Sequence, residues 1–145
     1  MYEKVLVAVD GSEQSFKAVT TAGNLAETGA AKEITLIYVI NLLGSGIMAD
    51  GLTIDYSPAQ YQNLLIESAQ KMVRQARDLI KSEIKVKTVV ESGSPADTIL
   101  DVAEKQKYDL IVIGNRGLNQ VQRLFLGSVS NKVINLAPCS VLVVK

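Results

Sequence analysis

The sequence contains no histidine, a single cysteine and only two phenylalanines among its 145 residues. Because histidine is the side chain that most often acts as a general base near neutral pH, its absence argues against fast acid–base catalysis. The lone Cys139 cannot form an internal disulfide, and its apolar neighbours favour core packing over a reactive thiol. Two phenylalanines and five tyrosines offer no evident pair for stacking on a flavin, so an electron-carrying flavodoxin-like role is not expected.

An excess of charge of either sign is also missing. Lys+Arg and Asp+Glu both number 15, so no net field steers the protein toward nucleic acid or an anionic membrane, and a bound anion must be held locally. No apolar run is long enough to cross a bilayer, and no basic-then-apolar leader precedes the first strand, which begins almost at Met1. We therefore expect a cytoplasmic protein that binds neither nucleic acid nor membrane.

Apolar runs that predict strands alternate with periodic segments that predict helices. With 48% hydrophobic and 21% charged residues the chain is ordinarily globular, and its length suits one domain over residues 1–145. Strands are expected at Val5–Val9, Ile34–Ile40, Lys85–Val90, Asp109–Ile113 and Ser140–Val144. The third alternates in polarity, which indicates an edge strand. Strict alternation predicts an α/β fold with an open, doubly wound parallel sheet of five strands, in the order 3-2-1-4-5, with helices on both faces.

Capping residues predict where the four helices begin and end. The first is expected from Ser12 or Ser15 to Gly29, the second from Ser57-Pro58 to about Ser82, the third from Ser94-Pro95, and the fourth over 129–137, ended by Pro138. Gln60, three residues after Ser57, completes a capping box, and Met72 falls on the apolar face of this second helix. The segment 41–57, with three glycines and no steady period, is interpreted as a lid or binding loop, or equally as a surface loop without function.

Two turns should meet where ligands bind in such sheets, at the carboxyl ends of the strands where strand order reverses. One follows the first strand, at Asp10-Gly11-Ser12, and the other follows the fourth strand, at 114–117. The second extends into GNRGLNQVQRLFLGSVS, with glycines at 114, 117 and 127. We expect positive φ at the first two of these glycines and free helical N–H groups after the third, which together suit a phosphate. Tight turns without a ligand are the alternative.

Polar side chains around these glycines add possible donors. Ser128 and Ser130 fall in the first turn of the fourth helix, and Asn115 and Arg116 face them from the preceding loop. Arg123 lies in the nine-residue spacer, where a surface arginine is the more common case.

This combination resembles the universal stress protein family, and specifically its ATP-binding branch with the motif G-x2-G-x9-G-[ST]. The resemblance covers the whole chain through VLVAVDGSEQS, GNRG…GSVS and APCSVLVV. It implies that the glycines and the two serines form a phosphate and ribose cradle, that Val39 contacts adenine, and that Asp10 is the acidic residue after strand one. Asp10 then either meets magnesium through water or only forms the turn. The predicted cofactor-binding residues are Val9, Asp10, Val39, Ile113, Gly114, Asn115, Arg116, Gly117, Gly127, Ser128, Val129 and Ser130.

The function that these features favour is that of an ATP-binding, nucleotide-responsive regulator of the stress response, with magnesium and little or no turnover. Ser128, rather than a Walker lysine, follows Gly127, so catalytic residues are not predicted. A slow ATPase or nucleotide-transfer enzyme is one alternative, although the Asp10-Gly11-Ser12 turn lacks the serine-glycine-glycine loop of such enzymes. A dimeric interaction module that binds no nucleotide is another. The apolar strand Val141–Val144 predicts a homodimer, as the resemblance also implies.

Overall fold

Strands and helices alternate strictly in the part of the chain that is described. A computed structural model of the protein describes residues 1–41, 57–117 and 126–145. The predicted loop between Asn41 and Ser57 and the spacer residue Arg123 therefore lie largely or wholly outside it. In chain order the elements are β1 Tyr2–Ala8, α1 Glu13–Glu27, β2 Ala31–Ile40, α2 Pro58–Asp78, β3 Lys85–Ser92, α3 Pro95–Lys105, β4 Leu110–Gly114, α4 Ser128–Leu136 and β5 Ser140–Val144.

The strands form one five-stranded sheet in the order β3-β2-β1-β4-β5, and every neighbouring pair is parallel. The chain moves outward from β1 to β2 and β3, then returns to the other side of β1 with β4 and β5. The carboxyl ends of β1 and β4 therefore flank the point at which strand order reverses. The predicted fold class and strand order are confirmed, and β3 lies at an edge as expected.

Helices cover both faces of the sheet because the strands carry apolar side chains on each face. On one face Val5 and Val7 of β1 pack with α1 and α2, and on the other face Leu6 packs with α3 and α4. We call these the α1–α2 face and the α3–α4 face. Cys139 is half-buried against the α3–α4 face, where burial and, secondarily, the charge of Asp109 raise the pKa of its thiol.

Side-chain caps fix the beginnings of two helices. Ser12 Oγ accepts a hydrogen bond from Ser15 N at 3.1 Å, and Ser57 and Gln60 form the predicted reciprocal capping box. Ser94 precedes α3 as predicted, but its side chain makes no capping hydrogen bond. The predicted end of α2 near Ser82 is wrong: the helix ends at Asp78, since Leu79 and the next residue close it with tighter bonds.

A carboxylate joins β1 and β4 at the end of the sheet where these strands begin. Asp109, just before β4, accepts hydrogen bonds from Glu3 N at 2.8 Å and from Lys4 N at 3.0 Å in β1. The return bond runs from Asp109 N to Lys4 O at 3.1 Å. In the described ranges no helix is both long and apolar enough to span a bilayer.

Candidate functional site

A cavity of about 340 Å³ opens at the carboxyl ends of β1, β2 and β4, beside the starts of α3 and α4. Its size falls in the range of small-molecule sites. Eleven of the twelve residues predicted from the sequence line it, with Asn115 as the exception. The sequence reasoning missed six further lining residues, which are Ala8, Ser15, Ile37, Asn41, Pro95 and Ile99.

The start of α4 differs from the starts of α1 and α2 because its cap residue is a glycine. Gly127 has φ −61° and ψ 154°, close to the conformation of the capping serines, yet it has no side chain to accept a hydrogen bond. The first bond inside the helix runs from Asn131 N to Gly127 O at 2.9 Å. The N–H groups of Ser128, Val129 and Ser130 therefore have no partner within the helix, and all three residues line the cavity.

Two hydrogen bonds clamp this helix start to the end of β4. Gly127 N donates to Asn115 O at 2.7 Å, and Ser130 Oγ donates to Gly114 O at 2.6 Å. Ser130 is buried, and Gly114 O accepts its one hydroxyl proton in this structure, although its oxygen can still accept a bond. Ser128 is exposed at the cavity, and its hydroxyl is the available donor in this turn.

Close packing requires a glycine at Gly114, and the expectation of positive φ at Gly114 and Gly117 is wrong. In the described chain the glycines with positive φ are Gly11, Gly29 and Gly93. A Cβ at Gly114 would lie 2.8 Å from Gln14 Cβ and 2.9 Å from the Gln14 carbonyl carbon, because α1 packs directly on β4. A Cβ at Gly117 would lie 2.7 Å from Asp10 Oδ2.

Asp10 joins the two turns predicted to meet. Its Oδ1 accepts a hydrogen bond from Ser12 N at 2.8 Å, which is the turn-forming role. Its Oδ2 lies beside Gly117, and Ser12 Oγ makes a long 3.5 Å hydrogen bond to Arg116 O. Burial and, secondarily, the charge of Asp10 raise the pKa of Tyr38 on β2. The Asp10 and Arg116 turns thus form one unit at the mouth of the cavity.

Two buried polar atoms in the second turn lack partners. Neither Asn115 Oδ1 nor Arg116 Nε has a hydrogen-bond partner in the structure as described. Arg116 lines the cavity, so its unpaired donor is available to a ligand beside it. Asn115 does not line the cavity, and its backbone N donates to Val144 O at 2.8 Å, which extends the β4–β5 pairing.

The opposite wall of the cavity is apolar. Ile37 and Val39 of β2 and Ile113 of β4 belong to the α3–α4 face and reach the cavity from its floor, while Pro95 and Ile99 of α3 close one side. The cavity therefore has a polar end at the start of α4 and an apolar end along β2 and α3. Among the described residues no group of three or more His, Cys, Asp and Glu side chains could hold a metal ion.

This topology and this crevice define a doubly wound α/β protein with a candidate ligand cavity at its switch point. The chain belongs to the universal stress protein family, and the sequence model of that family matches residues 1–145.

Individual relatives agree with this assignment. The chain is similar to universal stress protein MJ0531 of Methanocaldococcus jannaschii, with 36% identity over all of this chain and 83% of the relative. Its fold is similar to that of the hypothetical protein MJ0577, with a TM-score of 0.83 and 29% identity over all of this chain and 96% of that one. It is also similar to a universal stress protein crystallised in complex with cAMP, with a TM-score of 0.73 and 27% identity over 99% and 97% of the two chains.

Proposed function

We propose that this protein binds an adenine nucleotide, ATP or a close relative, in the cavity between β1 and β4. In this proposal it acts in the cytoplasm as a nucleotide-responsive regulator of the stress response, with little or no turnover. The similar protein crystallised with cAMP supports an adenine nucleotide as the ligand class. The single observation that carries the proposal is the uncapped start of α4, which presents unpaired N–H groups to a cavity whose other end is apolar.

The phosphates belong at the polar end. A helix start attracts an anion by about 0.3 to 1 kcal/mol, and by up to about 2 kcal/mol when partly buried, so further donors are needed. The Ser128 hydroxyl and the Arg116 Nε–H supply them from the two sides of the Gly127 cap. The clamp between β4 and α4 holds the backbone on both sides of these donors, so little backbone ordering is needed when a ligand binds.

The base belongs at the apolar end, where Ile37, Val39 and Ile99 offer flat hydrophobic contact. Asp10 fits a nucleotide that carries magnesium. Its Oδ1 is engaged by Ser12 N, while Oδ2 at the cavity would reach a phosphate-bound magnesium ion through water, since magnesium keeps several of its waters. The ion would neutralise phosphate charge there.

A homodimer through β5 forms part of the same proposal. The strand Val141–Val144 lies at an open edge of the sheet, and its four side chains are only half-buried. Leu136, at the end of the neighbouring α4, is 61% exposed. An apolar edge of this kind is normally covered, and pairing with a second copy would cover it.

The test uses two substitutions at Gly127 that differ in capping ability and in charge. A Cβ there would make ordinary contacts of 3.5 to 3.7 Å, and the backbone already has the conformation of a capping residue. Gly127→Asp places a carboxylate on the N–H groups of the first turn, whereas Gly127→Ala adds the Cβ alone. We expect Gly127→Asp to be more stable than Gly127→Ala by about 1 kcal/mol. We also expect Gly127→Asp to bind ATP roughly tenfold or more weakly than Gly127→Ala. Its carboxylate would accept hydrogen bonds from the N–H groups of the first turn and would repel the negative charge of the phosphates.

The measurements are calorimetric titrations with ATP, ADP, AMP, cAMP and GTP, each with and without magnesium, alongside urea unfolding of each variant. No heat with any nucleotide in the wild-type protein would contradict the proposal. Equal affinity in the aspartate and alanine variants would move the phosphates away from α4. Steady-state release of phosphate at ordinary enzymatic rates would replace the regulator with an enzyme.

A further inference from the structure

The turn that carries Asp10 is supported by a methionine that does not line the cavity. Met72 lies on α2 and packs, half-buried, against the core of the α1–α2 face. A Cβ at Gly11 would lie 2.8 Å from Met72 Cε and 3.2 Å from Met72 Sδ. The end of the Met72 side chain therefore fills the space in which any other residue at position 11 would place its own side chain.

Gly11 connects this contact to the cavity. It stands at φ +86° between Asp10 and Ser12, and the hydrogen bond from Ser12 N to Asp10 Oδ1 spans it. On either side of Gly11, Asp10 Oδ2 lies against Gly117 and Ser12 caps α1. A shift of Gly11 would therefore move the carboxylate at the cavity and the start of α1 together.

A methionine suits this position because its unbranched, polarizable thioether adapts to the irregular surface of a turn. The contact is made chiefly by Cε and Sδ, since Met72 Cγ lies 3.9 Å from the same point. The stem of the side chain packs in the core while its end presses on the turn. Contact with the turn and packing in the core can thus be separated by shortening the side chain.

We propose that Met72 is a positioning residue for the candidate nucleotide site. Its thioether holds Gly11, and through Gly11 it holds the Asp10 carboxylate in place at the cavity. α2 thereby contributes to ligand affinity from the α1–α2 face of the sheet. This inference rests on the proposed nucleotide binding and adds to it a residue that touches no ligand.

The test compares Met72→Ala with Val73→Ala, the buried neighbour on the same helix. The three atoms nearest to the Gly11 Cβ position all belong to Met72, so Val73→Ala removes core volume without removing the turn contact. Both variants should be less stable, but only Met72→Ala should raise the Kd for ATP, by roughly 2- to 30-fold. Met72→Leu, which keeps an atom at the δ position but not at Cε, should restore part of the affinity. If Met72→Ala does not fold, Met72→Val removes the contacting atoms and keeps most of the core packing.

A double-mutant cycle shows whether Met72 acts through the carboxylate. In an Asp10→Asn background, which keeps the Oδ1 acceptor, Met72→Ala should raise the Kd for ATP much less than it does alone. A purely structural role would leave the two effects additive, and full additivity would overturn the inference.

Amide exchange in the ligand-free protein provides a readout that needs no nucleotide. The Ser12 N–H should exchange faster in Met72→Ala than in Val73→Ala after correction for global stability, because its acceptor is no longer held. Failure of the wild-type protein to bind any nucleotide would refute the proposed function and with it the ligand part of this inference. Equal Ser12 exchange in the two variants would overturn the inference even if the wild-type protein binds ATP.

Discussion

Gly114 and Gly29 require glycine for different physical reasons, and substitutions at the two positions should distinguish these reasons. At Gly114 there is no space for a side chain, because a Cβ would lie 2.8 Å from the Cβ and 2.9 Å from the carbonyl carbon of Gln14 on α1. Gly29, in the turn after α1, has φ +76° and no atom within 4 Å of a Cβ. Gly114→Ala thus tests close packing of a helix on a strand, while Gly29→Ala tests backbone strain alone.

The expected costs follow from these geometries. At Gly114 the contacting atoms are backbone and Cβ atoms, so α1 must move as a unit, and overpacking of this kind costs about 1 to 3 kcal/mol. At Gly29 the left-handed conformation costs alanine about 1 to 2 kcal/mol, offset by about 0.4 to 1 kcal/mol from the stiffer unfolded chain. Gly114→Ala should be the more damaging, and adding Gln14→Ala should give no relief, since alanine keeps both contacting atoms.

Asparagine makes the distinction sharper. It tolerates the left-handed region, so Gly29→Asn should be more stable than Gly29→Ala. At Gly114 the larger side chain should make Gly114→Asn less stable than Gly114→Ala. Urea unfolding followed by circular dichroism measures all four free energies. A cost below about 0.5 kcal/mol for Gly114→Ala, or the same order of alanine and asparagine at both sites, would refute the packing argument.

Two further predictions concern single side chains. Ser130→Ala should lower the free energy of unfolding in urea by about 1 to 2 kcal/mol, because Gly114 O loses its donor. It should change nucleotide affinity less than Ser128→Ala does. A larger loss of affinity in Ser130→Ala would show that the Ser130 hydroxyl contacts the ligand. At the β2–β3 edge, hydrogen bonds from two lysines of β3 lower the pKa of Glu33 below its ordinary 4.5. The stability that this ionised carboxylate contributes is complete above pH 4.5 and is lost as pH falls through the lowered pKa. In a plot of unfolding free energy against pH, Glu33→Gln should therefore have a shallower slope on the acid side. An unchanged slope would contradict this prediction.

The fold was predictable because its determinants are local and repeated. Continuous apolar runs such as Val5–Val9 require a sheet covered on both faces, and short connections leave few possible topologies. The Ser57–Gln60 capping box named the start of α2 to the residue. The end of α2 was missed because it depends on the tight turn around Leu79, for which the sequence has no glycine or proline signal.

The candidate site was predictable in its location but less so in its chemistry. The spacing of Gly114, Gly117 and Gly127 located the cavity, yet the conformations of Gly114 and Gly117 were misjudged. The close approach of α1 that requires a glycine at Gly114 is a tertiary contact, which the sequence does not show. The bond from Ser130 Oγ to Gly114 O was not predicted because a sequence does not show which acceptor a hydroxyl meets. Apolar lining residues such as Ile37 and Ile99 were missed because they resemble the rest of the core. Contact of any of these residues with a nucleotide stays a prediction.

The Asp109 carboxylate closes the sheet at the end remote from the cavity. It bonds Glu3 N and Lys4 N where β1 begins, whereas the cavity lies beyond the last residue of β4, about 17 Å further along the strands. The tie between β1 and β4 and the candidate site therefore lie at opposite ends of the same strands. Substitution of Asp109 should therefore change the stability of the protein and leave the lining of the candidate site unaltered.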